Sequence, residues 1–180
     1  MKVLATGGAS SGKSTWAEQV ALSLPGPHVY VATMESYGRE AQVRIARHRN
    51  QRAGKGFVTI EQARDFASLE LPAEARGGTV LLEDLGNLVA NELFVDDCEV
   101  PVEVAAQRID EGMQTLELQC ENLVVVTNEI GADGGGYGEG TRTYQQLLGS
   151  VACQLASRFD VVAECVFGIP TFVKGQEVCS

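Results

Sequence analysis

Apolar residues cluster along the chain in short unbroken runs: Val3-Leu4-Ala5, Val29-Tyr30-Val31-Ala32, Val80-Leu81-Leu82, Leu123-Val124-Val125-Val126 and Val161-Val162-Ala163. A run without polar interruption predicts a strand covered on both faces, the usual state of a parallel sheet between helices. Between the runs the apolar positions switch to helical spacing. Trp16, Ala17, Val20, Ala21 and Leu24 predict a helix from Thr15 that Pro25-Gly26-Pro27 ends. Residues 37–52 read as a polar, strongly basic helix stopped by Gly54-Lys55-Gly56, and residues 62–70 as a further short one. Helices are also expected over Leu85 to Phe94, Val102 to Leu118 and Thr141 to Arg158. Strands are expected at His28 to Thr33, Phe57 to Ile60, Thr79 to Asp84 and Leu123 to Thr127, closing with Val161 to Val166 and Thr171 to Val173 around Gly168-Ile169-Pro170. Residues 131–140, nearly all Gly, Asp, Glu and Tyr, form the long loop. Strand and helix alternate throughout. This predicts an α/β fold of three layers, a mainly parallel sheet flanked by helices, in one domain over residues 1–180.

Composition narrows the partners. A net charge of −10 opposes a nucleic-acid or membrane-surface binder, which needs a basic face. The five cysteines, Cys98, Cys120, Cys153, Cys165 and Cys179, never stand in C-x-x-C spacing. They predict neither a disulfide framework nor a zinc site and suit a reducing cytoplasm. No apolar run reaches the length of a membrane span, and the N-terminus runs into a strand with no secretory signal.

The first strand opens into Gly7-Gly8-Ala9-Ser10-Ser11-Gly12-Lys13-Ser14, the pattern G-x-x-x-x-G-K-[ST] between a strand and a helix. Such a loop turns its backbone N–H groups inward around phosphates, and the helix behind it adds its positive N-terminal end. Lys13 is expected to reach the β- and γ-phosphates and the Ser14 hydroxyl to sit on Mg²⁺. Glu83 and Asp84 end a buried strand where phosphate-loop proteins place a metal-holding acid. Glu83 is the expected metal residue, with Asp84 as its substitute. The plainer reading of either is a helix cap. Ligands gather at the carboxyl ends of parallel strands, which puts Thr6–Gly7, Thr33, Glu83–Asp84 and Thr127–Asn128–Glu129 on one rim.

The basic helix reverses the local sign of charge. Arg44, Arg47, Arg49 and Arg52 surround His48, and Arg44, His48 and Arg52 fall four apart on one face. Arginine clusters suit bidentate phosphate contacts. A positive surrounding keeps an imidazole neutral, so that it could attack phosphorus. Periodicity alone favours the plainer reading, a solvated basic face or a phosphate clamp on which His48 donates a hydrogen bond.

Taken together, these segments resemble the bifunctional adenosylcobinamide kinase/adenosylcobinamide-phosphate guanylyltransferase family of cobalamin biosynthesis over nearly the whole chain. The matching stretches are Thr6 to Ser14, Ala32-Thr33, Arg44-Ile45-Ala46-Arg47-His48-Arg49, Thr59-Ile60-Glu61 and Leu81-Leu82-Glu83 with Asn91 and Leu93-Phe94. Val126-Thr127-Asn128-Glu129-Ile130-Gly131 and Gly168-Ile169-Pro170 with Lys174 complete the match. The resemblance implies two reactions at one site. ATP or GTP first phosphorylates the hydroxyl of the aminopropanol arm of adenosylcobinamide. The histidine aligned with His48 then attacks the α-phosphate of GTP and passes GMP to the phosphorylated corrinoid, giving adenosylcobinamide-GDP. It also implies a homotrimer and nucleotide contacts from Gly7 to Ser14, Thr33, Glu61, Glu83 and the four arginines. The chain departs from the family pattern at Ser10 (often Arg), at Ala53 and Phe57 (usually Pro and Trp), at Ala152 (commonly Asn), and in the glycine-rich loop Ala132 to Gly140.

Two other readings compete. One is a different small-molecule phosphate-loop kinase with His48 as a clamp. The other is a GTP-binding regulatory module without chemistry, opposed because no lysine has an aspartate two residues later.

Overall fold

The computed structural model describes residues 1–35, 54–95, 98–129 and 137–176. In chain order the described elements are β1 (Lys2–Thr6), α1 (Lys13–Ser23), β2 (His28–Ala32), β3 (Phe57–Glu61), β4 (Thr79–Glu83), α2 (Leu85–Leu93) and the short pair β5 (Phe94–Val95) and β6 (Cys98–Glu99). Then follow α3 (Val102–Gln119), β7 (Asn122–Val126), α4 (Glu139–Arg158), β8 (Val161–Val166) and β9 (Ile169–Lys174). The sheet runs β3-β2-β4-β7-β1-β8-β9, parallel throughout except for β9, which returns antiparallel beside β8.

The apolar runs behave as buried parallel strands should, because each divides its side chains between two layers. Val3, Ala5, Tyr30, Leu81, Val124, Val126, Ala163 and Cys165 face α1, meeting Trp16, Ala17, Val20 and Ala21. Their neighbours Leu4, Val29, Val31, Val80, Leu82, Leu123, Val125 and Val162 face α2, α3 and α4. The result is the expected three-layer α/β sandwich, with α1 alone on one face among the described residues.

The structure differs from sequence expectation around residues 62–70. Instead of a helix, the chain makes one 3-10 turn, Phe66–Ser68, preceded by Asp65 with a left-handed φ of 51°. Tertiary demand overrides local periodicity here. Phe66 is fully buried, and its N–H donates to the Glu92 carboxylate on α2 at 3.0 Å rather than to a helical carbonyl. Two smaller differences have similar causes. Phe94 leaves the helix to pair with Glu99. The last strand begins at Ile169, with Pro170 opposite Cys165, and a strand at the sheet edge tolerates a proline because one side needs no donor.

Candidate nucleotide site at the carboxyl rim of the sheet

The parallel strands end on one rim in the order Glu61, Ala32–Thr33, Glu83, Val126–Thr127, Thr6–Gly7. The phosphate loop therefore stands beside the end of β7, with the acidic end of β4 one strand further along.

Two glycines shape the loop. Gly7 has φ of 148°, and a Cβ there would lie 2.5 Å from the Cys165 carbonyl oxygen and 2.7 Å from Ser11 Oγ. Gly12, with φ of 89°, would place a Cβ 2.7 Å from the Gly168 Cα. Only glycine fits either position. The loop encloses a hollow of about 240 Å³ lined by Ser10, Ser11, Gly12, Lys13, Ser14 and Thr15. Gly12 is the N-cap of α1 and its carbonyl takes the N–H of Trp16. The amides of Lys13, Ser14 and Thr15 therefore have no intrahelical acceptor and point into the hollow's end of the helix. Lys13 is only 6% exposed, and its ammonium folds back on the Gly8 carbonyl at 3.0 Å. A phosphate group arriving in the hollow offers that ammonium a stronger, charged acceptor. The Ser11 hydroxyl is buried with no protein partner, an unspent polar group inside the cradle.

Glu83 and Asp84 take different parts. The Tyr30 hydroxyl donates to Glu83 Oε2 at 2.8 Å, orienting the carboxylate at the end of β4. Asp84 turns the other way and caps α2. One carboxylate oxygen accepts the Asn87 N–H at 2.6 Å and the other accepts the Asn128 amide at 3.0 Å. Burial pushes the Asp84 carboxyl above its ordinary range, and the neighbouring Glu83 charge adds to this. Tyr144, whose hydroxyl donates to the Gly86 carbonyl at 3.3 Å, is pushed up to about 12 by burial and then by the charge of Asp84. Thr33 is fully buried. Its hydroxyl donates to the Asp84 carbonyl at 2.7 Å and accepts the Asp84 N–H at 2.8 Å. Asn91 fastens the same corner, its amide donating to the carbonyls of Thr33 and Ala63 at 2.8 Å each.

Of the sequence-expected site residues, the structure brings Gly7, Gly8, Ala9, Ser10, Ser11, Gly12, Lys13 and Ser14 together, with Thr33 and Glu83 further along the rim. Glu61 is exposed at the end of β3, with β2, β4 and β7 between it and β1. His48, Arg44, Arg47, Arg49 and Arg52 lie outside the described residues. Sequence reasoning placed Asn128 on the rim and Asn91 in the family match without giving either a partner, and it missed the supporting roles of Tyr30 and Tyr144. The signals were the place of Asn128 directly after an apolar strand and the place of Asn91 in the family pattern. Among the described residues no group of three or more His, Cys, Asp or Glu side chains is placed to hold a metal ion, and no helix is long and apolar enough to cross a membrane.

Known proteins resemble this chain end to end. The profile of the cobinamide kinase / cobinamide phosphate guanyltransferase family matches residues 3–173. The bifunctional adenosylcobalamin biosynthesis protein CobP of Pseudomonas aeruginosa is 33% identical over 181 residues, covering 98% of this chain and 99% of that protein. The corresponding CobU of Salmonella typhimurium is 34% identical over 184 residues (97% and 100%), and that of Escherichia coli 31% over 183 residues (97% and 100%). Among solved structures, a KaiC-like protein from Pyrococcus horikoshii superposes with a TM-score of 0.43 at 14% identity, over 91% of this chain and 71% of that one. Another Pyrococcus horikoshii protein gives 0.42 at 10% identity, over 98% and 87%. Both are too distant to bear on function. The match across residues 3–173 and three bifunctional relatives above 30% identity decide the matter: this chain belongs to the cobinamide kinase / cobinamide phosphate guanyltransferase family.

Proposed function

We propose that the chain carries out both reactions of its family through one nucleotide site. ATP or GTP gives its γ-phosphoryl group to the aminopropanol hydroxyl of adenosylcobinamide. His48 then relays GMP from GTP to the phosphorylated corrinoid, yielding adenosylcobinamide-GDP. The observation that carries this reading is the cradle itself: a loop closed by Gly7 and Gly12, with Lys13 held inside it and Glu83 on the same rim.

In the first step the loop amides and Lys13 hold the β- and γ-phosphates while the corrinoid hydroxyl attacks in line. Such a transfer needs positioning and charge neutralisation rather than a protein nucleophile. The donors present suit Mg²⁺, which prefers a few hard oxygens and keeps water and phosphate for the rest. Ser14 supplies a hydroxyl and Glu83 a carboxylate, whereas both oxygens of Asp84 are occupied, one by capping the helix and the other by the Asn128 amide. When bound, the ion would neutralise charge gathering between the β- and γ-phosphates. In the second step a neutral His48 ring nitrogen forms a P–N bond at the α-phosphorus as the bond to pyrophosphate breaks. A phosphate oxygen of the corrinoid then displaces the imidazole, which recovers its lone pair. Arg44, Arg47, Arg49 and Arg52 would balance charge on the departing pyrophosphate. The reading extends to a homotrimer acting in the cytoplasm, which sedimentation of the purified chain and fractionation of its host would test.

The two steps should come apart on mutation. With α-labelled GTP and Mg²⁺, wild type is expected to carry acid-labile label. His48→Ala should lose label and guanylyl transfer while keeping kinase turnover. His28→Ala serves as the control, since His28 is held at 2.9 Å from the Leu24 carbonyl in a structural contact. Lys13→Ala should lose both steps, by about 3 kcal/mol or more of transition-state stabilisation. Label persisting in His48→Ala would move the nucleophile elsewhere, and no label in wild type would leave a plain kinase.

A further inference from the structure

We infer that Phe167 is the stacking platform for the purine base of the nucleotide held in the loop, an inference that rests on the nucleotide reading above. Phe167 is 95% exposed, beyond the other large apolar side chains of its strand pair, and packing among the described residues does not account for it. Its position is nevertheless tightly determined. With Gly168 it forms the two-residue turn between β8 and β9, closed by the Val166–Ile169 pair. The Gly168 N–H donates to the Ser11 carbonyl at 2.8 Å, and Gly12 packs against the Gly168 Cα. Behind the turn, Phe172 of β9 meets Trp16 of α1 edge-on, with ring centroids 6.0 Å apart. The turn is therefore anchored to both the phosphate loop and the helix that follows it.

The direction of the nucleotide follows from the order of the strands. Glu83, Asp84, Thr127 and Asn128 stand on the β4 and β7 side of β1. The terminal phosphate must face that side, where the metal-holding carboxylate lies. The nucleoside end then leaves toward the other side, which is where β8, β9 and their turn stand. An exposed aromatic ring there offers a π-face to whichever base arrives. Stacking is tolerant of base identity, so one ring would serve ATP and GTP alike.

The backbone gives an independent sign. Phe167 and Gly168 both have positive φ, 51° and 81°. Two-residue hairpin turns of that kind favour Asn-Gly or Gly-Gly, and a bulky aromatic residue in the left-handed region is disfavoured. Strain retained at an exposed position beside a ligand cradle marks a side chain kept for what it binds.

The test is calorimetric titration of GTP, and separately of inorganic tripolyphosphate, into wild type, Phe167→Asn and Phe167→Trp, with thermal melts alongside. Phe167→Asn is expected to weaken GTP roughly tenfold, to leave tripolyphosphate within about twofold, and to hold or raise the melting temperature. A merely structural side chain would lower stability and spare the difference between the two ligands. Phe167→Trp should keep GTP affinity, and its new indole should be quenched by GTP but not by tripolyphosphate. The protein's single native tryptophan, Trp16, is only 7% exposed and contributes a steady background. GTP binding to Phe167→Asn as tightly as to wild type overturns the inference. So does equal loss of both ligands, or a change confined to oligomeric state, which would make the ring part of a contact with a second copy. If wild type binds neither ligand, the nucleotide reading falls and takes this inference with it. If wild type binds GTP and Phe167→Asn is unaffected, the inference alone falls.

Discussion

Glu83 and Asp84 are adjacent acids with opposite duties, and the difference is one of partners. Asp84 has both oxygens taken by N–H groups of Asn87 and Asn128, whereas Glu83 receives the Tyr30 hydroxyl on one oxygen. Glu83→Gln keeps an acceptor for Tyr30 but removes the charge. The expected outcome is a rise on the order of tenfold or more in the Mg²⁺ concentration needed for half-maximal turnover, with little change in melting temperature. Activity titrated against Mg²⁺, beside a thermal melt, checks it; an unchanged requirement would transfer the role to another carboxylate. Cys120 offers a second test at this scale. Burial pushes its thiol up to about 11, and it donates to the Leu116 carbonyl at 3.1 Å, whereas Cys98 and Cys153 are exposed. The thiolate is the reactive form, so iodoacetamide at pH 8 should label Cys98 and Cys153 at least about tenfold faster than Cys120. Because folding raises this pKa from 9.0, the unfolded chain gives up the proton first. The stability contributed by the neutral thiol is therefore complete below pH 9 and falls as pH climbs from 9 towards about 11. Peptide mapping of labelled sites against pH reads the order directly.

Between elements, α3 and the Phe66 turn make a close join. A Cβ on Gly112 would come within 2.4 Å of Phe66 Cδ1, 3.0 Å of the Phe66 carbonyl carbon and 3.1 Å of the Ala67 nitrogen. Replacing a mid-helix glycine by alanine normally gains about 1 kcal/mol. Here overpacking works against it, at about 1–3 kcal/mol, and should win because two of the three obstructing atoms are backbone. Gly112→Ala is expected to lower the melting temperature by about 2–6 °C. Adding Phe66→Leu should cost less in that background than in wild type, since the shorter side chain relieves the clash. A melt of the four-member cycle gives the coupling, and additive effects would remove the clash from consideration. A second contact of that turn, with α2, explains the failed helix at residues 62–70. Glu92 is 3% exposed and binds the Phe66 N–H, and a helical Phe66 could not satisfy that carboxylate.

Across the whole molecule, the phosphate loop and the β8–β9 turn lie far apart in sequence yet touch at Gly12 and Gly168. Gly12→Ala would drive a Cβ to 2.7 Å from the Gly168 Cα. The loop must open or the hairpin must shift, and either spoils the cradle. A ligand that binds only the folded state at a hundred times its Kd stabilises by about 2.7 kcal/mol. GTP at that excess should therefore raise the wild-type melting temperature by roughly 5–10 °C and leave Gly12→Ala unmoved. A normal ligand-induced shift in the variant would mean the loop tolerates the side chain.

The strands, the phosphate loop and the rim could be read in the sequence because each depends on neighbours in the chain. An unbroken apolar run such as Leu123 to Val126 has only one economical use, and glycines, lysine and serine at fixed spacing carry their conformational and chemical meaning with them. Family membership followed from the same local segments, in their order. What the sequence left open depends on groups brought together from a distance. Only the sheet order β3-β2-β4-β7-β1-β8-β9 sets the loop between the acids of β4 and the turn after β8. Only packing separates Glu83 from Asp84, since Asn128 and Asn87 reach one of them while Tyr30 reaches the other. Phe167 is a plain aromatic in a hairpin until Gly168 is found hydrogen-bonded to Ser11. Periodicity reports which face of an element is apolar, whereas a buried carboxylate, a close glycine contact or a ring beside a phosphate cradle is a property of three-dimensional neighbours, and only the folded chain supplies those.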